Sequence, residues 1–108
     1  MKFNMNIMKQ AKQMAEKMER IKAELAQKTV EATSGGGMVN VTVSGAQELI
    51  GIKIEKDVVN PEDIEMLQDL ITAAINEGLR KSKDMVSDEM SKLTGGLNIP
   101  GMNLSGLF

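Results

Sequence analysis

Three observations in the 108-residue sequence predict an α+β chain: a long N-terminal helix, a three-stranded antiparallel meander, and one kinked or two C-terminal helices. Apolar residues first recur at alternating intervals of four and three, then at intervals of two, and after Asn60 at helical intervals again. The length is that of one domain, here residues 1–93, with 94–108 expected as a flexible tail.

The first helix, expected over 4–27, carries Ile7, Ala11, Met14, Met18, Ile21 and Leu25 on one stripe, the a/d seam of a heptad repeat. A helix of that length extends roughly 36 Å, further than a small three-stranded sheet can cover. Part of the seam therefore needs a second partner, and a homodimer is expected.

Strands are expected at 28–33, 38–44 and 49–55, from Val30 and Ala32, then Val39, Val41 and Val43, then Ile50, Ile52 and Ile54. Gly35, Gly36 and Gly37 make the first turn, and Ser44 to Gln47 the second. Asn60, Pro61, Glu62 and Asp63 read as a helix start, with Asn60 as N-cap and Pro61 at the first helical position. Ile64, Leu67, Ile71, Ala74 and Ile75 give the following helix an apolar face; Gly78 is a weak point, so helices are expected at 61–77 and 79–93.

Only Phe3 and Phe108 are aromatic, so the core is to be assembled from Ile, Val, Leu, Ala and some of the ten Met. The absence of Cys and His removes the usual nucleophile, the commonest general base, and the thiolate and imidazole metal ligands. The acids Glu62, Asp63, Glu65 and Asp69 fit the dipole and a solvated face of a helix start better than they fit a metal cluster. No catalytic residue, metal, cofactor or small-molecule substrate is expected. No apolar run approaches the ~20 residues that span a bilayer, and no signal peptide opens the chain, so no membrane partner and a cytoplasmic location are expected.

The net charge of −2 conceals a polarity along the chain. Residues 1–28 hold seven basic and three acidic side chains, residues 61–80 one basic and five acidic. Within the first helix, Glu16 with Arg20, Arg20 with Glu24, and Glu24 with Lys28 are spaced to pair. Lys9 and Lys12 precede every acid and lie away from the seam, which makes the amino-terminal half the cationic end. Two such helices in a dimer would offer two cationic arms to one polyanion.

The run Met8-Lys-Gln-Ala-Lys-Gln-Met14, Lys17-Met18, the glycine turn, Val39 to Gly45, Asp69-Leu-Ile-Thr-Ala-Ala-Ile-Asn-Glu77 and Pro100-Gly101-Met102 resemble the YbaB/EbfC nucleoid-associated family. The resemblance spans nearly the whole chain. It implies a homodimer with a central β core and paired helices projecting like tweezers, binding double-stranded DNA with little sequence preference in the bacterial cytoplasm and nucleoid, with effects on nucleoid organisation or gene expression. It points by element to Lys9, Lys12, Lys17, Arg20 and Lys22 on the first helix and to Lys81, Lys83 and Lys92 on the last. Scarce aromatics disfavour base stacking, which leaves phosphate contact as the mechanism. The alternative is a helix-mediated protein interaction module without physiological DNA binding.

Overall fold

The computed structural model of the chain describes residues 5–94, with side chains through Lys92. Its elements are α1 (Met5–Gln27), β1 (Thr29–Ser34), β2 (Val39–Ser44), β3 (Leu49–Ile54), a 3₁₀ turn (Lys56–Val58) and α2 (Ile64–Thr94). The tail expected at 94–108 lies outside the described residues from 95 onward.

The strands form one antiparallel sheet in the order β1-β2-β3. Gly35, Gly36 and Gly37 all take positive φ, from 59° to 97°, a backbone that side-chain-bearing residues rarely adopt, so the glycine run is what lets β1 turn directly into β2. Between β2 and β3 the register slips: Thr42 faces Gly51 but Val43 faces Leu49, leaving Ile50 as the extra residue of a bulge. Simple alternation puts Ile50, Ile52 and Ile54 in one row; the bulge replaces Ile50 with Leu49 opposite Val43.

Alternation in β2 sends Val39, Val41 and Val43 to the face that α2 covers, and all three are buried with Ala32, Val58 and Ala74. Leu67, Leu70, Ile71, Ile75 and Leu79 line the packed side of α2. The helix lies over β1 and β2, and β3 stands outside its footprint. The core is therefore assembled from Val, Ala, Ile and Leu, and among the described methionines only Met90 is fully buried.

Of one kinked or two C-terminal helices, the structure has one, and two expected bounds are corrected, the break at Gly78 and the start at 61. Helix α2 is one element and passes through Gly78 without interruption. Gly78 is buried against the sheet, where a Cβ would lie 2.7 Å from Val43 Cγ2 and 3.0 Å from Val41 Cγ2, so its missing side chain permits a close helix-to-sheet approach rather than marking a break. The helix also begins later than expected, at Ile64. The carboxylate of Asp63 accepts the Met66 N–H at 3.2 Å and is the N-cap. Asn60 instead closes the preceding turn, its side-chain oxygen accepting the Glu62 N–H at 3.0 Å and its carbonyl the Asp63 N–H at 2.9 Å.

The β2–β3 turn joins the two helices. Ser82, fully buried on α2, donates to the Ser44 carbonyl at 2.6 Å and accepts from Gln47 Nε2 at 2.7 Å. Gln47 holds the left-handed φ of 64° there. On the other side of the turn, the Gly45 N–H donates to the Lys28 carbonyl at 2.8 Å, and the Gly45 backbone lies directly against the last carbonyls of α1. This contact sets where α1 leaves the body. The molecule is 73 Å long and only 25 Å by 21 Å in cross-section.

Candidate nucleic-acid interface

Helix α1 attaches by its carboxyl end and projects from there. Leu25 is 5% exposed and lies with Ala26 beside Gly45, Val86 and Met90. Met18 and Ile21 are half-buried, whereas Ala11 is exposed, Met14 is 49% exposed and Ile7 62%. The seam predicted from the heptad thus divides: its last turn is used within the chain, and its first three turns face solvent.

At about 100° per residue, Lys9, Lys12 and Arg20 lie on the side of α1 opposite the seam, while Lys17 and Lys22 flank it. All five are exposed. The spacing-based pairs Glu16–Arg20, Arg20–Glu24 and Glu24–Lys28 are not formed among the described residues, and Lys28 instead reaches Glu89 of α2 at 3.9 Å. The cations of α1 therefore stand without ion-pair partners, contrary to the self-neutralisation that the sequence spacing suggested. An exposed pair of this kind gains little over two solvated charges, so its failure to form costs little.

The cations of α2 are more engaged. Lys81 donates to the Glu31 carbonyl on the edge of β1 at 3.1 Å, and Lys92 lies 3.7 Å from Glu89. Lys83 is exposed. Arg80, which the family resemblance did not single out, is held in a two-pronged contact with Glu77 and by Asp84 at 2.8 Å. The hydrogen bond from Arg80 holds the Glu77 carboxyl below its ordinary range, and the same bond raises Arg80. The signal for this cluster was legible, since the partners are three and four residues apart on one helix.

A second uncovered surface belongs to β3. Leu49 and Ile52 face the same side as the buried valines of β2, yet α2 does not reach them; Ile52 is 44% exposed and the bulged Ile50 59%. The strand is also a sheet edge. Among the described residues no cluster of three or more Asp or Glu could hold a metal ion, and no described helix is long and apolar enough to cross a membrane.

The α+β body is elongated, and its protruding helix carries exposed cations. Residues 1–97 match the YbaB/EbfC DNA-binding family. The chain belongs to that family. It is 59% identical over 103 residues to a nucleoid-associated protein of Syntrophobacter fumaroxidans, covering 95% of this chain and 94% of the relative. A nucleoid-associated protein of Thermoanaerobacter pseudethanolicus is 54% identical over 101 residues, covering 93% and 91% of the two chains. In fold the chain is similar to the crystal structure of an uncharacterized protein from Helicobacter pylori, with a TM-score of 0.59 at 24% identity over 81% of this chain and 96% of that one.

Proposed function

We propose that the protein is a homodimeric, nucleoid-associated protein of the bacterial cytoplasm that binds double-stranded DNA through backbone phosphates with little sequence preference, and that it is not an enzyme. The observation that carries this reading is the outer side of α1, where Lys9, Lys12 and Arg20 project on a helix clear of the body with no carboxylate paired to them among the described residues. Such a surface can neutralise phosphates and release their counterions, contacts that carry no sequence information themselves. Family membership and the names of the relatives agree with it.

The dimer is supported by what a monomer leaves open. Ile7 and Met14 on the seam, and Leu49, Ile50 and Ile52 on β3, form apolar surface that no element among the described residues covers. A second copy related by a two-fold axis could bury both sets at once, which would also remove the free edge of β3. Two projecting helices would then form paired arms. If each arm places Lys9, Lys12 and Arg20 on phosphates, about six are neutralised, and the logarithm of affinity should fall with the logarithm of salt at a slope of about −5.

Fluorescence anisotropy with random-sequence duplex DNA across a salt series tests this. A slope near that value, similar for unrelated duplexes, is expected. No binding at about 50 mM salt, where phosphate contacts are strongest, would reject the DNA reading and favour the protein interaction module, and sedimentation of the free protein as a monomer would reject the dimer.

A further inference from the structure

Two exposed surfaces are left over once the seam and β3 are assigned to the dimer, and they match each other. The first is on α1. Met5, Met8, Lys9 and Lys12 lie together on the projecting end of the helix, with Met5 80% exposed. Their spacing of three, one and three puts them on a single face, and by helix geometry that face lies opposite the seam. An association through the seam leaves it open.

The second is at the start of α2, where Asp63, Glu65, Met66, Asp69, Leu70 and Ala73 line a shallow groove. Its floor is apolar, from Met66, Leu70 and the small Ala73, and its rim is acidic. None of the carboxylates of Asp63, Glu65 and Asp69 is in an ion pair among the described residues. Leu70 lies against Gly35, so the groove belongs to the β1–β2 end of the sheet, whereas α1 departs from the β2–β3 end. In a molecule 73 Å long the two surfaces cannot meet within one chain.

We infer that the outer face of the α1 tip of one molecule docks, helix against helix, in the acidic groove at the start of α2 of another, joining dimers end to end. Met5 and Met8 would pack on Met66, Leu70 and Ala73, with the methionines adapting to the shallow floor. Lys9 and Lys12 would meet Glu65 and Asp69. Both halves combine an apolar strip with charge of one sign, and the signs are opposite. The contact is heterologous, using two different patches, so it does not close on itself and propagates into open chains. It also engages the lysines proposed to meet phosphate, so the acidic groove and DNA would compete for the same arm.

This inference rests on the dimer reading only in that the seam is taken to be occupied, and it is tested without DNA. Sedimentation velocity on the full chain should show species larger than the dimer that grow with protein concentration at about 0.1 M salt and fall back to dimer at about 1 M, where screening acts over about 3 Å rather than 10 Å. Two variants separate the halves: Lys9→Glu with Lys12→Glu gives an acidic tip, and Glu65→Lys with Asp69→Lys gives a basic groove. Each alone should stay dimeric at low salt, and an equimolar mixture of the two should regain the larger species, because each then supplies the charge the other lacks.

Wild-type protein that remains a dimer at every concentration, single variants that still assemble, or a mixture that does not, would each overturn the proposal. The groove variant keeps Lys9 and Lys12, so it should bind duplex DNA at least as tightly as wild type; loss of its DNA affinity would contradict the competition. The species at about 1 M salt reports the dimer separately.

Discussion

Replacing Gly45 by Ala tests how α1 is held to the body. A Cβ at that position would fall far inside contact distance of the Leu25 carbonyl oxygen and 2.7 Å from its carbon, and 3.3 Å from the Ala26 nitrogen. These are backbone atoms, so no rotamer change relieves the overlap. The least costly escape is for the last turn of α1 to lift away from the β2–β3 turn. That exposes Leu25, whose burial contributes about 1.5–3 kcal/mol, and breaks the Gly45–Lys28 hydrogen bond, a further ~1 kcal/mol. The expected loss is about 2–4 kcal/mol. At ~4–8 °C per kcal/mol for a domain of this size, Tm should drop by about 10–30 °C.

The assay is thermal unfolding followed by far-ultraviolet circular dichroism at fixed protein concentration, since association also stabilises. Gly51→Ala is the control: a Cβ there meets nothing within 4 Å, so its Tm should stay within a few degrees of wild type. A Gly45→Ala protein with unchanged Tm and an equally protease-resistant α1 would refute the close approach of turn and helix.

Further outcomes follow from other contacts. Ser82→Ala removes a buried hydroxyl that both donates and accepts, and should cost about 1–3 kcal/mol by denaturant titration, with Ser82→Thr giving no rescue because its extra methyl has no room at a fully buried site. Met18→Asp places a charge on the half-buried seam and should shift the sedimenting species from dimer to monomer or prevent folding. Lys9→Glu with Lys12→Glu should weaken duplex binding and lower the magnitude of the salt slope while leaving the dimer intact at about 1 M salt. For Glu77, whose carboxyl is held below its ordinary 4.5 by the hydrogen bond from Arg80, carboxyl NMR should find a midpoint below that value, rising in Arg80→Gln. Because the folded value is the depressed one, the pair's contribution is present above pH 4.5 and is lost as the pH falls through the folded midpoint.

The order of elements was legible because each depends on periodicity, which the chain states locally. The heptad from Ile7 to Leu25, the alternation in β2 and the three glycines each give one conformation on their own, and the observed bounds of α1 and the strands lie within a residue of those expected. Other features depend on neighbours distant in sequence. Gly78 read as a weak point because an isolated helix loses stability at glycine, but the valines it must approach lie some 35 residues away. Asn60 and Asp63 are both good caps, and the path of the chain from the 3₁₀ turn decides between them. The Ser82–Ser44–Gln47 cluster left no local sign, since a serine in a helix is more often solvated than buried.

The candidate site divides in the same way. Sequence by itself determined that α1 carries an apolar seam on one side and lysines on the other, because helical geometry converts spacing into faces without reference to anything else. Only the tertiary structure decided how much of the apolar and charged surface is free: Leu25 is consumed by the body, the bulge at Ile50 puts Leu49 opposite Val43, α2 stops short of β3, and among the described residues the carboxylates within α1 leave its cations unpaired. Burial and pairing are properties of what stands opposite a side chain, and that is settled when the elements pack.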